Sequence, residues 1–325
     1  MSQQATAQHF ELIDLHPAPT DVTKAVLEGL CHTPKQLPAW LLYDRRGSAL
    51  FDAICQQPEY TLTRLEKGLL EAQALAIAEV LPPGSLIVEF GAGSAEKVSP
   101  LLEAIAKPSY LAIDISAEHL QQAGHRLQER HLDVPMLGIC ADYSQPLELP
   151  LPDAWASKPM VGFFPGSSLG NFEPEAAISF LTRMRELLGE GSQLLIGIDQ
   201  PRQPALLEAA YNDAAGVTAE FNLNLLGRIN RELGAEFDVD AFSHQANYDE
   251  KNHRVDIRLV SQCHQAVKLD GHTFRFEEGE TIHTEYSHKY TIDSFADLAS
   301  EAGFVLRASW TDADDNFAVL HLVIQ

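Results

Sequence analysis

Leu86-Ile-Val-Glu-Phe90-Gly91-Ala-Gly93-Ser-Ala-Glu96-Lys97 joins a short apolar run to a glycine turn, and Val98, Leu101, Leu102 and Ile105 then recur at spacings of three and four. That is a strand, a tight turn and a helix. The pattern repeats downstream. Tyr110-Leu-Ala-Ile113 ends in Asp114, and Met136-Leu-Gly-Ile-Cys140 in Ala141-Asp142-Tyr143. Pro159-Met-Val-Gly-Phe-Phe164 ends in Pro165-Gly-Ser-Ser-Leu-Gly-Asn171, and Gln193-Leu-Leu-Ile-Gly-Ile198 in Asp199. Helical stretches at 118–130 and 176–188 fall between these runs. Five apolar strands alternating with helices predict an α/β fold with a parallel sheet covered on both faces.

Outward from this core the rhythm changes. Residues 63–80 read as a helix stopped by Pro82-Pro83-Gly84. Before it, Pro17, Pro19, Pro34, Pro38 and Pro58 break the chain, leaving short helices at 22–30 and 49–55. After Pro201 comes a long helical stretch with Phe221, Leu225, Ile229 and Leu233 on one stripe and Gly234 as its stop. A strand to Tyr248, the turn Asp249-Glu-Lys-Asn252, a strand over 255–260 and a hairpin at Lys268-Leu-Asp-Gly271 follow, as α+β material. A helix at 294–303 and strands at 307–310 and 317–324 close the sheet domain. The expected division is a sheet domain from 64–199 and 287–325, and a second, α+β module from the N-terminus (1–63) and an insertion (200–286).

The chain has 325 residues and a formal net charge of −23, which repels nucleic acid and anionic membrane alike. Hydrophobic residues make up 45%, enough for a packed core. Cys31, Cys55, Cys140 and Cys263 form no CxxC pair, so neither a disulfide framework nor a zinc ribbon is indicated. Met1-Ser-Gln-Gln-Ala-Thr-Ala-Gln-His9 has no basic, apolar leader, and no apolar run reaches the roughly 18 residues of a membrane span. A cytoplasmic protein is expected.

The glycine turn identifies a ligand class. Tight turns between strand and helix call for glycine on their own, but Asp114 lies about 20 residues on, at the next strand end, where a carboxylate accepts both ribose hydroxyls. A dinucleotide fingerprint needs Gly or Ala where this chain has Glu96, and a carboxylate there competes with pyrophosphate for helix amides. Ribose without phosphate fits S-adenosylmethionine (SAM). Asp142 and Tyr143 are then placed for the adenine, and Lys97 for the carboxylate of the amino-acid tail, although an ordinary solvated lysine is equally expected there.

These residues resemble the SAM-dependent L-histidine Nα-methyltransferases that make hercynine in ergothioneine biosynthesis. The resemblance runs from Tyr43-Asp-Arg-Arg-Gly-Ser-Ala-Leu-Phe51 to the C-terminus. It is carried by Pro58-Glu-Tyr-Thr-Leu-Thr-Arg64, Gly166-Ser-Ser-Leu-Gly-Asn171, Tyr211-Asn-Asp-Ala-Ala-Gly-Val-Thr218 and His283-Thr-Glu-Tyr-Ser-His-Lys-Tyr290 as well as by the glycine turn. It implies a class I, Rossmann-like SAM methyltransferase sheet with a substrate-binding domain. It places Gly91, Lys97, Asp114, Asp142 and Tyr143 on SAM, and Tyr60, Asn171, Tyr211, Glu285 and Ser287 on L-histidine, with Tyr43 near the amino group. Thr61, Pro165 and Ile257 depart from the family pattern, and Ile257 stands where some members line the imidazole pocket with methionine.

Methyl transfer from a sulfonium to an amine is an in-line displacement that needs no metal and no covalent intermediate. It needs a neutral amine, aligned and shielded. Asn171, in the loop after the fourth strand, has a carbonyl that can accept from the amine; Tyr60 and Tyr211 have hydroxyls for the substrate carboxylate. Alternation along a strand puts Glu285 and Ser287 on one face, an acceptor and a hydroxyl for the two imidazole nitrogens. Tyr43, Tyr143 and Phe172 are candidates for an aromatic wall around a methylated ammonium, and Tyr43 is also a candidate proton acceptor. His283 and His288 are expected on opposite faces of their strand, which argues against a metal, and Asp312-Ala-Asp-Asp-Asn316 reads as a hairpin turn rather than a calcium loop. The expectation is a monomeric enzyme acting on a small amino acid. The alternatives are an N-methyltransferase of another amino acid, such as a tryptophan derivative, and a SAM-binding protein without turnover.

Overall fold

A computed structural model describes residues 10–15, 21–143 and 145–324. The N-terminal stretch 1–9, Pro17 and Pro19 lie outside the described residues. The strands are β1 (Glu11–Asp14), β2 (Lys35–Gln36), β3 (Leu86–Phe90), β4 (Ser109–Asp114), β5 (Met136–Cys140), β6 (Met160–Phe164), β7 (Gln193–Asp199), β8 (Phe242–Asp249), β9 (Arg254–Ser261), β10 (Gln265–Leu269), β11 (His272–Phe276), β12 (Thr281–His288), β13 (Phe304–Thr311) and β14 (Phe317–Ile324). The helices are α1 (Val22–Cys31), α2 (Arg45–Ile54), α3 (Leu62–Val80), α4 (Ser99–Ala104), α5 (Ala117–Arg130), α6 (Pro174–Leu188), α7 (Pro204–Ala210), α8 (Val217–Leu233) and α9 (Ile292–Glu301).

The main sheet has the order β1-β5-β4-β3-β6-β7-β14-β13, and β14 alone runs antiparallel to its neighbours. The five strands expected between 86 and 198 form its centre. All five residues of β3 are buried. Strand alternation sends Leu86, Val88 and Phe90 to Phe180 and Met184 of α6 and Phe295 of α9, while Ile87 joins Leu69 of α3, Leu101 of α4 and Leu120 of α5 in the core on the other face. Each such side chain contributes about 1.5–3 kcal/mol on burial, so both faces of the sheet are anchored. This is the Rossmann-like class I arrangement. Strand order reverses between β3 and β6, which opens a crevice at their carboxyl ends.

Three details differ from the sequence expectation. Glu11–Asp14, expected in the second module, pairs with β5 at the edge of the main sheet, and the Phe10 ring occupies the space that a Cβ on Gly124 or Gly138 would need. The four residues Glu11-Leu-Ile-Asp14 carry too little pattern to show this. The second short helix starts at Arg45, because the Asp44 side chain caps it by accepting from the Gly47 N–H at 2.7 Å. The stretch after Pro201 is two helices: Asp213 accepts from the amides of Val217 and Thr218, each at 2.8 Å, and starts α8 afresh.

A second sheet, β2-β12-β9-β8, and the hairpin β10-β11 come from Lys35–Gln36 and from residues 242–288. Its inward residues Val255, Ile257, Leu259 and Ile282 share one core with α3 and α8 and with Leu195 of the main sheet. The turn after β13 is held by Asp312, whose carboxylate accepts from the Phe317 and Asp314 amides, as a hairpin turn requires. Among the described residues no helix is long and apolar enough to cross a membrane.

Candidate active site

The crevice at the switch point gathers the residues read as nucleoside ligands. Gly91 and Gly93 take φ of +66° and +52° after β3, a region closed to most side chains. A Cβ on Gly91 would stand 2.8 Å from the Tyr143 hydroxyl, so the glycine is what lets this tyrosine reach the turn. Asp114, at the end of β4, accepts from the Gly93 N–H at 3.1 Å and the Ser116 N–H at 3.0 Å. The Tyr143 ring packs against Phe90 and Phe180 at 6.0 and 5.9 Å, and Asp142 sits half-buried beside it. A carboxylate for a diol, a phenol and side-chain-free backbone at the turn fit the nucleoside of SAM. The helix begins only at Ser99, so Glu96 stands ahead of its N-terminus, paired with Lys67 at 3.7 Å.

Lys97 is only partly exposed, and it is paired. Its ammonium lies 2.6 Å from Glu66 of α3, and the two Glu66 oxygens also accept from the Gly166 N–H at 2.8 and 2.9 Å. Glu66 thereby ties the turn after β3 to the loop after β6, across the switch point. A Cβ on Gly197 would be 2.2 Å from this carboxylate, so the central strand is hollowed to hold it. Glu66 was not anticipated. Its signal was a carboxylate on the stripe Leu62, Glu66, Leu69, Leu70, Ile77, where a core-facing helix carries apolar residues.

Tyr43, Tyr60, Asn171, Tyr211, Glu285 and Ser287 line one cleft, open at its mouth, together with Phe51, Phe221 and Ile257. Gly166 and Ser167, with φ of +88° and +55°, turn the chain after β6 into the 3-10 turn Ser168–Asn171. A Cβ on Gly170 would meet the His288 carbonyl at 2.7 Å. Only glycine lets this loop reach β12, and the Asn171 amide donates to Glu285 Oε1 at 2.8 Å as a result. Glu285 and Ser287 do share a face, opposite Ile257 and Val255 of β9.

Burial pushes the Glu285 carboxyl up to about 8, and the charge of Lys289 opposes this. Lys289 follows β12 and is 2% exposed. It donates to Ser287 Oγ at 2.7 Å and to the Tyr211 hydroxyl at 2.9 Å, and it pairs with Asp199 at 2.8 Å. The two hydroxyls are themselves 2.7 Å apart. Asp199 also holds Arg202. Lys289 stood inside the quoted 283–290 segment, but a lysine next to a strand end gave no sign of being buried. Burial raises the Tyr60 phenol well above its ordinary value, whereas Tyr43 stands at the mouth of the cleft, 41% exposed.

Two expectations are corrected. Phe172, stacked on Phe180 with ring centroids 5.1 Å apart, and Tyr143, packed on Phe90 and Phe180, are not part of the cleft wall; Phe51 and Phe221, 5.7 and 5.5 Å from Tyr43, are. His283 and His288 do not face opposite sides. A bulge between His283 and Glu285 shifts the alternation, so His283, paired with Arg258, joins Tyr286 and His288 on the outer face, with its ring 3.9 Å from Tyr286. Among the described residues no three His, Cys, Asp or Glu side chains gather in a way that could hold a metal ion.

Comparison with known proteins gives a consistent result. Residues 22–324 match the family described as "Histidine-specific methyltransferase, SAM-dependent". A histidine N-alpha-methyltransferase of Mycobacterium tuberculosis is 35% identical over 301 residues, covering 90% of this chain and 92% of that protein. One from Mycolicibacterium smegmatis is 34% identical over 304 residues, with the same coverage. Ergothioneine biosynthesis protein 1 of Neurospora crassa is 30% identical over 296 residues, 86% of this chain and 32% of that longer protein.

Proposed function

The chain belongs to the family of SAM-dependent, histidine-specific methyltransferases, and from that premise we propose that it methylates the α-amino nitrogen of L-histidine three times, giving hercynine for ergothioneine biosynthesis. The observation that carries this reading is the hydrogen bond between Asn171 and Glu285, which joins an amine-directing amide to an imidazole acceptor inside one cleft.

SAM, when bound, supplies an electrophilic methyl. The rest is positioning. Asp114 accepts from the ribose hydroxyls, Asp142 and Tyr143 meet the adenine, and Lys97, held by Glu66, meets the tail carboxylate. Tyr60 and Tyr211 donate to the histidine carboxylate; Glu285 and Ser287 take the two ring nitrogens. With its N–H on Glu285, Asn171 has its carbonyl free to accept from the amine and aim the lone pair. Alignment of this kind contributes up to about 7–11 kcal/mol in the best cases. The displaced proton passes to water at the open mouth, where Tyr43 is itself solvent-exposed. Tyr43, Phe51 and Phe221 give the quaternary ammonium an aromatic wall.

Glu285 and Ser287 also weigh against an indole substrate, whose ring has one nitrogen and offers the Ser287 hydroxyl no lone-pair partner. The net charge of −23 and the free cysteines support a cytoplasmic enzyme without a nucleic-acid partner, taken here as a monomer. The test is a screen of purified protein with SAM and each amino acid singly, reading S-adenosylhomocysteine. Release with histidine alone supports the proposal; release with another amino acid, or with none, refutes it.

A further inference from the structure

Lys289 is a fully buried cation that does not line the cleft, yet two of its three donors are spent on cleft residues. Its partners account for all three protons: Asp199 Oδ2 at 2.8 Å, Ser287 Oγ at 2.7 Å and the Tyr211 hydroxyl at 2.9 Å. An ammonium has no acceptor, so both hydroxyl oxygens must accept from it. Each hydroxyl hydrogen is thereby turned away from Lys289. In the empty cleft one of the two is satisfied by the other hydroxyl, 2.7 Å away. Asp199 keeps the lysine charged, and Arg202 in turn holds Asp199.

We propose that Lys289 is a positioning residue for substrate recognition: it fixes Tyr211 and Ser287 as hydrogen-bond donors toward the cleft. This rests on histidine being the substrate. A donor at Ser287 beside an acceptor at Glu285 matches a neutral imidazole, which has one N–H and one lone-pair nitrogen. A donor at Tyr211 matches the carboxylate. A ring that offers only an N–H leaves the Ser287 hydroxyl hydrogen without an acceptor on the substrate, and it competes for the one lone pair that Lys289 leaves on that oxygen. Specificity is then set from behind the cleft wall, by a residue that never touches the substrate.

The experiment compares L-histidine with β-(pyrrol-2-yl)alanine, which keeps the ring N–H and lacks the lone-pair nitrogen. The parent protein should prefer histidine in kcat/KM by about tenfold or more. In Lys289→Met the histidine KM should rise about tenfold or more, with kcat changed less and SAM affinity by calorimetry unchanged. The preference over the pyrrole should also shrink. Asp199→Asn/Lys289→Met removes the buried pair together and serves as the second variant if the single change lowers stability. Equal use of both amino acids by the parent overturns the inference without any variant. An unchanged histidine KM, or SAM affinity falling in parallel with it, overturns it too. If the parent methylates neither amino acid, it is the proposed function that fails, a result distinct from these.

Discussion

Asn171 Nδ2 donates to Glu285 Oε1 at 2.8 Å across 114 positions of sequence, joining the loop after the fourth central strand to the second sheet. In the proposed function the contact couples the two tasks of the cleft, since the residue proposed to read the side chain also fixes the amide proposed to aim the amine. Removing the carboxylate from one end should therefore be felt mainly by the amino-acid substrate.

Glu285→Ala is expected to raise the histidine KM about tenfold or more, because a buried ring N–H loses its partner, a cost of about 1–3 kcal/mol. SAM binding should barely move. Steady-state kinetics with each substrate varied in turn check this, and unaltered histidine kinetics would remove Glu285 from the recognition of the ring.

Gly170→Ala tests the approach that makes the contact possible. Its new methyl would meet the His288 carbonyl at 2.7 Å, so the 168–171 turn must back away and carry Asn171 off Glu285. The expected result is a fall in kcat of about a hundredfold, as for other small misplacements of an aligning group. Near-parental kcat would mean that the turn tolerates displacement.

Asp114→Ala should weaken SAM binding about tenfold or more, since a diol acceptor is lost from the crevice. Titration calorimetry with SAM measures it. The Tyr211–Ser287–Lys289 network lies in the other site, so histidine affinity should hold. Loss of both affinities together would point to collapse of the Gly91–Gly93 turn instead.

Glu89 gives a pH prediction apart from catalysis. Burial pushes its carboxyl up to about 8 against 4.5 unfolded, and Tyr110 donates to it. Between these values the folded state keeps a proton that the unfolded chain has released, so stability falls as pH rises from 4.5 toward 8. Glu89→Gln should flatten that decline in denaturant melts at a series of pH values. An equally steep decline in the variant would place the titrating group elsewhere.

The main sheet was legible because its strands are apolar runs bounded by turns, a signal local to each strand. The proposed ligand residues were placed by the same signal: Asp114 ends its strand, and Tyr143 and Asn171 lie in the loops after theirs. What could not be read is what depends on distant approach. Glu66 and Lys289 look like ordinary helix and strand-end charges until the fold buries them against Gly197 and Asp199. The bulge before Glu285 moved His283 to the other face, and no residue type in that segment marks it. Phe172 fell outside the cleft because α6 offered Phe180 as a stacking partner, a tertiary fact.

The central claim is most directly tested by the product itself: mass spectrometry with fragmentation after incubating purified protein, L-histidine and excess SAM. The account predicts a species heavier than histidine by three methylene units, with all three methyls on the α-nitrogen. Methyl groups on the imidazole ring, or no gain in mass, would contradict it.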